Sequence, residues 1–298
     1  MLKKYEKILS VQDELMLPGG RSCPGCGGGI LTRIAFKAIG RNALLTAGSC
    51  GTNTTGLFPV GAMSTLPVPT GILGGSGGAL SGMRMALDIL GKEDAQVVGI
   101  IGDGDAADIG HGMLSACFER GHKVIVIVQD NEGYSATGGQ RSGTTELKAW
   151  TRSTPQGKSR PPKYLPLIFL AHRIPYVATC SVGYPEDIFD KVQKATKKEN
   201  QPAYIQCITP CPVDWHFEPS KAATLGRLVV DTGIFPLWEF ERGKFRYTVE
   251  VKKKKPVEEY LRLQGRFSHL KPQDVEEIRD YVADLEKTIQ RFMTAYAD

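Results

Sequence analysis

A carboxylate and an amide follow two neighbouring apolar runs of this sequence. Asp103 lies between two glycines directly after the run 97–101, and Asn131 follows a second run, 124–128. Because the carboxyl ends of parallel strands meet at one sheet edge, where open α/β sheets bind ligands, we expect both side chains to lie close together. Hard oxygen ligands beside a helix N-terminus suit Mg2+ holding a diphosphate, and the Gly133 carbonyl can supply a third oxygen.

Cysteine residues form a second group with chemical potential. Four of the seven lie in loops rich in Gly or Pro: Cys23, Cys26, Cys50 and Cys211. Cys23 and Cys26 form a CxxC pair, whereas Cys50 and Cys211 each follow a predicted strand, at the same sheet edge as Asp103. Four thiolates there can hold zinc or a [4Fe–4S] cluster. A zinc ribbon has two tight pairs, so the scattered arrangement favours a cluster; a redox pair and unrelated cysteines are the remaining alternatives.

Bulk composition bounds the class of protein. The chain has 298 residues, 41% of them hydrophobic, and a net charge of +5. This length can bury a full core as one large domain or two. The mild positive charge does not indicate a nucleic-acid partner. No apolar run reaches the roughly 18 residues of a membrane span, and the first residues lack the apolar segment of a secretion signal. We expect a cytoplasmic protein with no nucleic-acid or membrane partner.

Strand-like and helix-like patterns alternate along the chain. Strands are predicted at 43–47, 97–102, 123–129, 176–179 and 203–208, with helical patterns between them. This alternation predicts an α/β fold with a doubly wound, mainly parallel sheet. Past Pro212 the composition becomes aromatic and charged, and an amphipathic helix is predicted over 271–296. We therefore predict an α/β domain over 1–212 and a helical or irregular extension over 213–298. The extension is expected to contact other subunits, with a plain capping helix as the alternative.

Several motifs, taken in order, resemble the thiamine-diphosphate-binding β subunits of 2-oxoacid:ferredoxin oxidoreductases, the pyruvate synthase family. The resemblance runs from about Cys23 to Trp215. It is carried by Cys23–Gly27, Gly48–Gly51, Gly102–Gly110, Glu119–His122, Asp130–Glu132, Thr137–Ser142 and Pro210–Pro212, and the segment 257–267 is also similar. The resemblance implies the thiamine diphosphate-binding fold.

The resemblance also implies a set of site residues. One [4Fe–4S] cluster would be bound by Cys23, Cys26, Cys50 and Cys211, and Mg2+ by Asp103, Asn131 and the Gly133 carbonyl. Thiamine diphosphate would contact Ser49, Cys50, Gly51, Gly102, Asp103, Gly104, Asp105, Ala106, Asn131, Ser135 and Ala136. The candidates for contact with reacting groups are Ala136, Thr137 and Arg141. Arg141 could meet the substrate carboxylate or coenzyme A, and a structural ion pair is its alternative.

The implied reaction is the coenzyme A-linked oxidative decarboxylation of a 2-oxoacid, with electrons passing through the cluster to ferredoxin. In this family the carboxylate that activates the aminopyrimidine comes from the pyrimidine-binding domain of another subunit. The sequence reveals no second domain that could supply it. We therefore expect activity only with an α subunit carrying that domain, and with γ and ferredoxin-like δ subunits or domains.

One position departs from the family pattern. Pyruvate enzymes carry Asn in a Tyr-x-Asn-Thr-Gly segment, and Ala136 takes that place in Tyr134–Gly138. Replacing an amide by a methyl group removes a polar contact and opens volume, which favours a bulkier or aromatic 2-oxoacid over pyruvate. The 2-oxoglutarate members tend to have Lys where Gly138 stands, so a dicarboxylate is not favoured. The alternative functions are a non-redox thiamine-dependent 2-oxoacid decarboxylase and a zinc-stabilised binding protein.

Overall fold

A central β-sheet organises the computed structural model, which describes residues 5–18, 22–47, 65–69 and 72–296. Its strands are β1 (Ala43–Ala47), β2 (Gln96–Gly102), β3 (Ile125–Asp130), β4 (Tyr176–Ser181), β5 (Ala203–Ile208), β6 (Trp238–Glu241) and β7 (Lys244–Tyr247). They lie in the order β1-β2-β3-β5-β4-β6-β7. Strands β1 to β5 pair in parallel, while β6 pairs antiparallel with β4 and β7 antiparallel with β6. The predicted doubly wound, mainly parallel sheet is confirmed.

Helices cover both faces of the sheet. Within the described residues they are α1 (Glu6–Ser10), α2 (Gly27–Ile39), α3 (Ser76–Ile89), α4 (His111–Glu119), α5 (Leu165–Leu170), α6 (Pro185–Ala195), α7 (Pro212–Trp215), α8 (Ala222–Asp231), α9 (Glu258–Leu261) and α10 (Pro272–Ala295). A π-helical turn spans Asp105–Ile109, and short 3-10 helices span Lys198–Asn200, Pro219–Lys221 and Gly265–Phe267. None of the helices in these ranges has the length and apolarity needed to cross a bilayer.

The parallel strands are buried because helices pack on both sides of them. Every residue of β3 and of β5 is buried, and both are almost continuous apolar runs, as expected for a sheet covered on two faces. One core cluster joins the sheet to Phe36 of α2 and Phe189 of α6. A second joins the opposite face to Phe169 of α5 and Leu285 of α10. This burial fixes the carboxyl ends of β2 and β3 side by side.

The C-terminal part of the chain also belongs to the sheet. The expectation of a helical or irregular extension is incomplete, since this part contributes the β6–β7 hairpin as well as α8 to α10. Each of these strands has four residues and includes charged positions, so neither gives an apolar run of the kind that marks a buried strand. A third core cluster, which includes Trp215, Tyr260 and Ile278, packs the extension together. The boundary at residue 212 stays a prediction.

Candidate cofactor and metal site

The sheet places the predicted magnesium ligands next to each other. Asp103 follows β2 and Asn131 follows β3, and these strands pair in parallel up to Gly102 opposite Gln129. Asp103 and Asn131 are both buried. Oδ1 of Asn131 lies 2.9 Å from Oδ1 of Asp103 and 2.9 Å from the carbonyl oxygen of Gly133. The three oxygen donors predicted from the sequence are thus brought together at one point.

Three oxygens facing one another at this spacing are a specific arrangement. On the other side of the amide, Oγ of Ser135 lies 3.0 Å from Nδ2 of Asn131, and this hydroxyl can pair with the amide in either orientation. If the amide turned over, its nitrogen would donate to both oxygens instead. With the amide oxygen turned inward, all three oxygens can face one cation. Two adjacent ligands of an octahedral Mg2+, at about 2.0–2.1 Å from the metal, lie about 2.9 Å apart, so the donor set fits this ion.

The local environment of Asp103 explains how it could bind a cation. Its other oxygen, Oδ2, accepts a 2.9 Å hydrogen bond from Oγ1 of Thr144. Burial raises the pKa of Asp103 to about 7. A dication beside the carboxylate favours its ionised form, so binding would be coupled to proton release. Sequence reasoning missed Thr144, because nothing in its local pattern marks it as a neighbour of β2.

One cleft contains most of the predicted cofactor residues. It is lined by Leu73, Gly102, Asp103, Gly104, Asp105, Gly133, Tyr134, Ser135, Ala136 and Thr137. A Cβ atom on Gly104 would lie 2.4 Å from the ring of Tyr134, so only glycine fits at this close approach. Ala106 is buried in the adjacent turn. The predicted residues Ser49, Cys50 and Gly51 lie outside the described residues.

The helical segment between β2 and β3 begins with a π-helical turn. Asp105–Ile109 form a π-helical turn in which the Gly110 N–H donates to the Asp105 carbonyl at 2.8 Å, and α4 starts only at His111. Within the described chain, Oδ1 of Asp105 is buried without a hydrogen-bond partner, whereas Oδ2 accepts from Ser76. Such π turns occur frequently at functional sites. An unpartnered buried oxygen is unusual, and it lies on a residue that lines the cleft.

The cysteine loops lie against each other. The N–H of Gly27 donates to the Pro210 carbonyl at 3.1 Å, and a Cβ on Gly27 would lie 2.7 Å from the Thr209 backbone. This contact brings the CxxC loop against the turn that leads into Cys211. Cys23, Cys26 and Cys211 are free thiols. No group of three His, Cys, Asp or Glu side chains close enough for a metal occurs among the described residues, and the fourth predicted ligand, Cys50, lies outside them.

Burial controls the ionisation of the cysteines near the cleft. Burial, and then the charge of Asp214, raise the pKa of Cys211 to about 11. Ser135 lowers the pKa of this thiol, and its hydroxyl also contacts the Asp214 carboxylate. Ser135 therefore links the predicted metal site, through Asn131, to a predicted cluster ligand. The remaining described cysteines, Cys117, Cys180 and Cys207, are buried in the core.

The predicted contacts with reacting groups fall in one loop. Ala136 and Thr137 are exposed on the cleft. Oγ1 of Thr137 lies 2.6 Å from Oε1 of Gln140, so this hydroxyl is engaged within the loop. Arg141 is exposed, and its backbone N–H donates to Ser153 Oγ at 2.9 Å. In the described ranges its guanidinium makes no ion pair.

Comparisons with known proteins agree with this geometry. The family model described as "Thiamine pyrophosphate enzyme, C-terminal TPP binding domain" matches residues 47–207, which include both loops of the cleft. The chain therefore contains a thiamine pyrophosphate-binding domain. It is 43% identical over 277 residues to pyruvate synthase subunit PorB of Methanothermobacter thermautotrophicus, covering 91% of this chain and 96% of that protein. It is 40% identical over 296 residues to ketoisovalerate oxidoreductase subunit VorB of Pyrococcus horikoshii, covering 95% and 94%.

The chain thus belongs to the β subunits of the 2-oxoacid:ferredoxin oxidoreductases, which work in multi-subunit complexes. A solved 2-oxoglutarate:ferredoxin oxidoreductase from Magnetococcus marinus, with 2-oxoglutarate, coenzyme A and succinyl-CoA bound, has a similar fold. Its TM-score is 0.58 at 23% sequence identity, and the match covers 72% of this chain and 79% of that one.

Proposed function

We propose that this chain binds thiamine diphosphate, Mg2+ and one [4Fe–4S] cluster in an enzyme that oxidatively decarboxylates a 2-oxoacid, transfers the acyl group to coenzyme A and reduces ferredoxin. The observation that carries the proposal is the set of three oxygens from Asp103, Asn131 and Gly133. They converge within a thiamine pyrophosphate-binding domain, at the sheet edge where a diphosphate is expected.

The residues of the cleft would bind and orient the cofactor. Asp103, Asn131 and the Gly133 carbonyl would hold Mg2+ against the diphosphate. Thiamine diphosphate, when bound, would supply the electron sink for decarboxylation, and the cluster would accept electrons. Ser135 would pair with the outer side of the Asn131 amide. The cluster would be bound by Cys23, Cys26, Cys50 and Cys211, with Ser135 between it and the cofactor.

Ala136 is the main candidate for selecting the substrate. It is exposed on the cleft beside Ser135, where an asparagine side chain would occupy more of the space. The relatives bear names for two substrates, pyruvate and the branched ketoisovalerate. Since a methyl group offers no hydrogen bond and leaves room, a branched or aromatic 2-oxoacid is favoured over pyruvate for this chain.

An apolar surface beside the cleft would contact a partner subunit. Large apolar side chains are exposed on α3, on α4 and beside them: Ile72, Met85, Ile89, Leu90, Ile109 and Met113. The only charged residues of α3 are Arg84 and Asp88, which pair with each other at 2.6 Å. A surface this poor in charge is typical of a protein interface. It would receive the α subunit with its pyrimidine-binding domain, since Leu73 and Asp105 beside it line the cleft.

The C-terminal extension is the second candidate for subunit contact. Among the described residues of the extension, Val213 has a large apolar side chain that is prominently exposed. The other large apolar side chains of the extension contribute to the core. For this reason the α3–α4 surface is favoured for the α subunit. The γ and ferredoxin-like δ subunits or domains, and ferredoxin itself, would complete the complex.

Cofactor analysis of the assembled complex tests the proposal. The chain is co-expressed with its partner subunits and purified without oxygen, and iron, acid-labile sulfide, magnesium and thiamine diphosphate are measured. Cys26→Ser should lose iron, whereas Cys117→Ser, in the interior of α4, should retain it. Viologen reduction is then compared for pyruvate, branched, aromatic and dicarboxylic 2-oxoacids. Thiamine without iron would indicate a non-redox decarboxylase, and zinc without thiamine a binding protein.

A further inference from the structure

A cavity of about 390 Å3 lies next to the loop that lines the cofactor cleft. Its charged lining residues are all cationic: Arg141, Lys158 and Arg160. Hydroxyl and amide side chains of Thr154, Gln156 and Ser159 lie between them, and no carboxylate occurs among the described residues of the lining. The volume is in the range of small-molecule sites, which are about 300–1,000 Å3. Its composition predicts an anionic ligand.

The arginines of this region have no carboxylate partner within the described chain. Arg141, Arg152 and Arg160 are exposed, and within the described chain none of their guanidinium groups pairs with a carboxylate. Unpaired cations grouped on one loop create a positive potential that attracts anions. An anionic ligand would supply the missing partner.

Lys158 adds a buried charge to the cavity. Its side chain is almost fully buried, and Nζ donates to the carbonyl oxygens of Gly143 (3.1 Å) and Thr145. Burial lowers the pKa of Lys158 to about 8, Glu146 raises it, and the nearby charge of Arg141 lowers it further. At neutral pH this lysine is therefore still mainly charged, and it holds a positive charge close to Arg141.

The cavity and the cofactor cleft share one short loop. Thr137 lines the cleft and Arg141 lines the cavity, so four peptide units, or at most about 15 Å, separate their Cα atoms. The loop is folded back on itself: the Gly139 N–H donates to the Tyr134 carbonyl at 3.0 Å, and the Arg152 N–H donates to the Gly139 carbonyl at 3.0 Å. A ligand in the cavity can therefore extend an arm into the cleft.

We propose that this cavity binds the phosphate groups of coenzyme A and holds the nucleotide end while the thiol arm extends to the cofactor cleft. This inference rests on the proposed function, in which coenzyme A is the acyl acceptor. Coenzyme A carries a diphosphate and a 3′-phosphate at one end and its reactive thiol at the other. The guanidinium group of arginine can donate two parallel hydrogen bonds to a phosphate, and Arg141 and Arg160 could bind the phosphates in this way. The 2-oxoacid is not the ligand of this cavity, because its carboxylate is attached to the reacting carbon and must lie inside the cleft.

A binding measurement tests the cavity without turnover. Adenosine 3′,5′-bisphosphate, which carries phosphates of the nucleotide end, is titrated calorimetrically into the assembled complex. Arg160→Gln should weaken binding about tenfold or more, with a smaller effect of salt than in the unchanged complex. Arg160→Lys should weaken it less, because it keeps the charge and loses only the fork. Arg291→Gln, on the exposed face of α10, is the matched control. Binding within twofold of the unchanged complex in Arg160→Gln and Arg141→Gln would overturn the proposal.

A kinetic measurement identifies the ligand. In the viologen assay, Arg160→Gln should raise the KM for coenzyme A about tenfold and leave the KM for the 2-oxoacid unchanged. Pantetheine, which carries the thiol without phosphates, should serve the variant and the unchanged complex equally. A raised KM for the 2-oxoacid or for ferredoxin, with that for coenzyme A unchanged, would contradict the proposal. If no 2-oxoacid is oxidised, the proposed function fails, and the bisphosphate titration alone decides whether the cavity is a phosphate site.

Discussion

Arg266 donates a 2.7 Å hydrogen bond from Nη1 to Oε2 of Glu132, the residue that follows the predicted magnesium ligand Asn131. Both side chains are buried. The guanidinium also lies 3.8 Å from the centre of the Trp215 ring, and Trp215 Nε1 donates to the Asn131 carbonyl at 2.8 Å. The C-terminal extension thereby holds the loop that carries Asn131, even though it contributes no predicted ligand itself.

Replacing Arg266 should destabilise both the fold and the site. Arg266→Met leaves Glu132 buried without its charged partner, which typically costs about 3–5 kcal/mol of unfolding free energy. Arg266→Lys should recover only part of this, since lysine lacks the planar fork and the stacking on Trp215. Urea unfolding and thiamine diphosphate content are measured together, with exposed Arg262→Met as control. An Arg266→Met protein of unchanged stability would show that the pair is not needed.

Binding of Mg2+ and thiamine diphosphate should depend on the side-chain oxygen of Asn131 more than on the shape of this side chain. Asn131→Leu removes the oxygen, so we expect Mg2+ and thiamine diphosphate affinities to fall by about tenfold or more, since losing a residue that merely supports a metal ligand already costs this much. Asn131→Asp keeps an oxygen at this position and should retain the metal. Calorimetric titration of both ligands into the cofactor-depleted complex provides the comparison. Equal affinities in the Leu and Asp variants would argue against the three-oxygen site.

Ala136 should control the choice of 2-oxoacid. Ala136→Asn introduces an amide and reduces the space at the cleft, so kcat/KM for pyruvate should rise relative to branched or aromatic 2-oxoacids by about tenfold, as expected for a change in pocket size. The ratio of kcat/KM values in the viologen assay measures this directly. Ala136→Ser, a smaller change, should move the ratio less. An unchanged ratio in Ala136→Asn would remove this residue from the selection of substrate.

Glu146 should make the fold less stable as the pH rises. Burial, and then the charge of Glu132, raise the pKa of Glu146 to about 7, above its usual 4.5. The folded state therefore holds a proton that the unfolded state releases. Stability is full below pH 4.5 and is lost towards pH 7, by up to about 1.4 kcal/mol per pH unit. Urea unfolding at pH 5, 6 and 7.5 should show a shallower decline in Glu146→Gln than in the unchanged protein.

The apolar α3–α4 surface should be needed for assembly and not for folding. Ile89→Asp places a charge on a side chain that is 85% exposed, so the fold should be unaffected, while binding of the α subunit should weaken about tenfold or more. Leu9→Asp is a matched control, because this exposed leucine belongs to α1, outside that surface. Analytical ultracentrifugation of the mixed subunits measures the association. Unaltered association in Ile89→Asp would assign the α subunit to another surface, such as the C-terminal extension.

The sheet edge that carries the candidate metal site could be predicted from the local apolar pattern of the sequence. The apolar runs before Asp103 and Asn131 predicted strands within one or two residues of β2 and β3, and parallel pairing then brought the two side chains together. Family resemblance added the predicted roles of the cysteines. The contact between Glu132 and Arg266, by contrast, joins positions 134 residues apart. No local pattern encodes such a partner, because it depends on how the extension packs.

The same limit applies to the hairpin and to the turn after Gly104. Strands β6 and β7 gain their structure from pairing with β4 and with each other rather than from an apolar pattern of their own. The sequence predicted a helical pattern between β2 and β3 but not whether it begins as an α-helix or with the π-helical turn at Asp105–Ile109. Close packing of the loops decides between them, and this information is absent from spacing alone.

The antiparallel hairpin has a consequence for the solubility of the chain. Every residue of β4 is buried, and β6 covers the side of β4 that faces away from β5. Without the hairpin, the open backbone groups of an apolar strand would be a template for pairing with other chains. The outermost strand, β7, is short and exposes Lys244, whose charge opposes such pairing. The hairpin therefore protects the parallel sheet against edge-to-edge aggregation while the complex assembles.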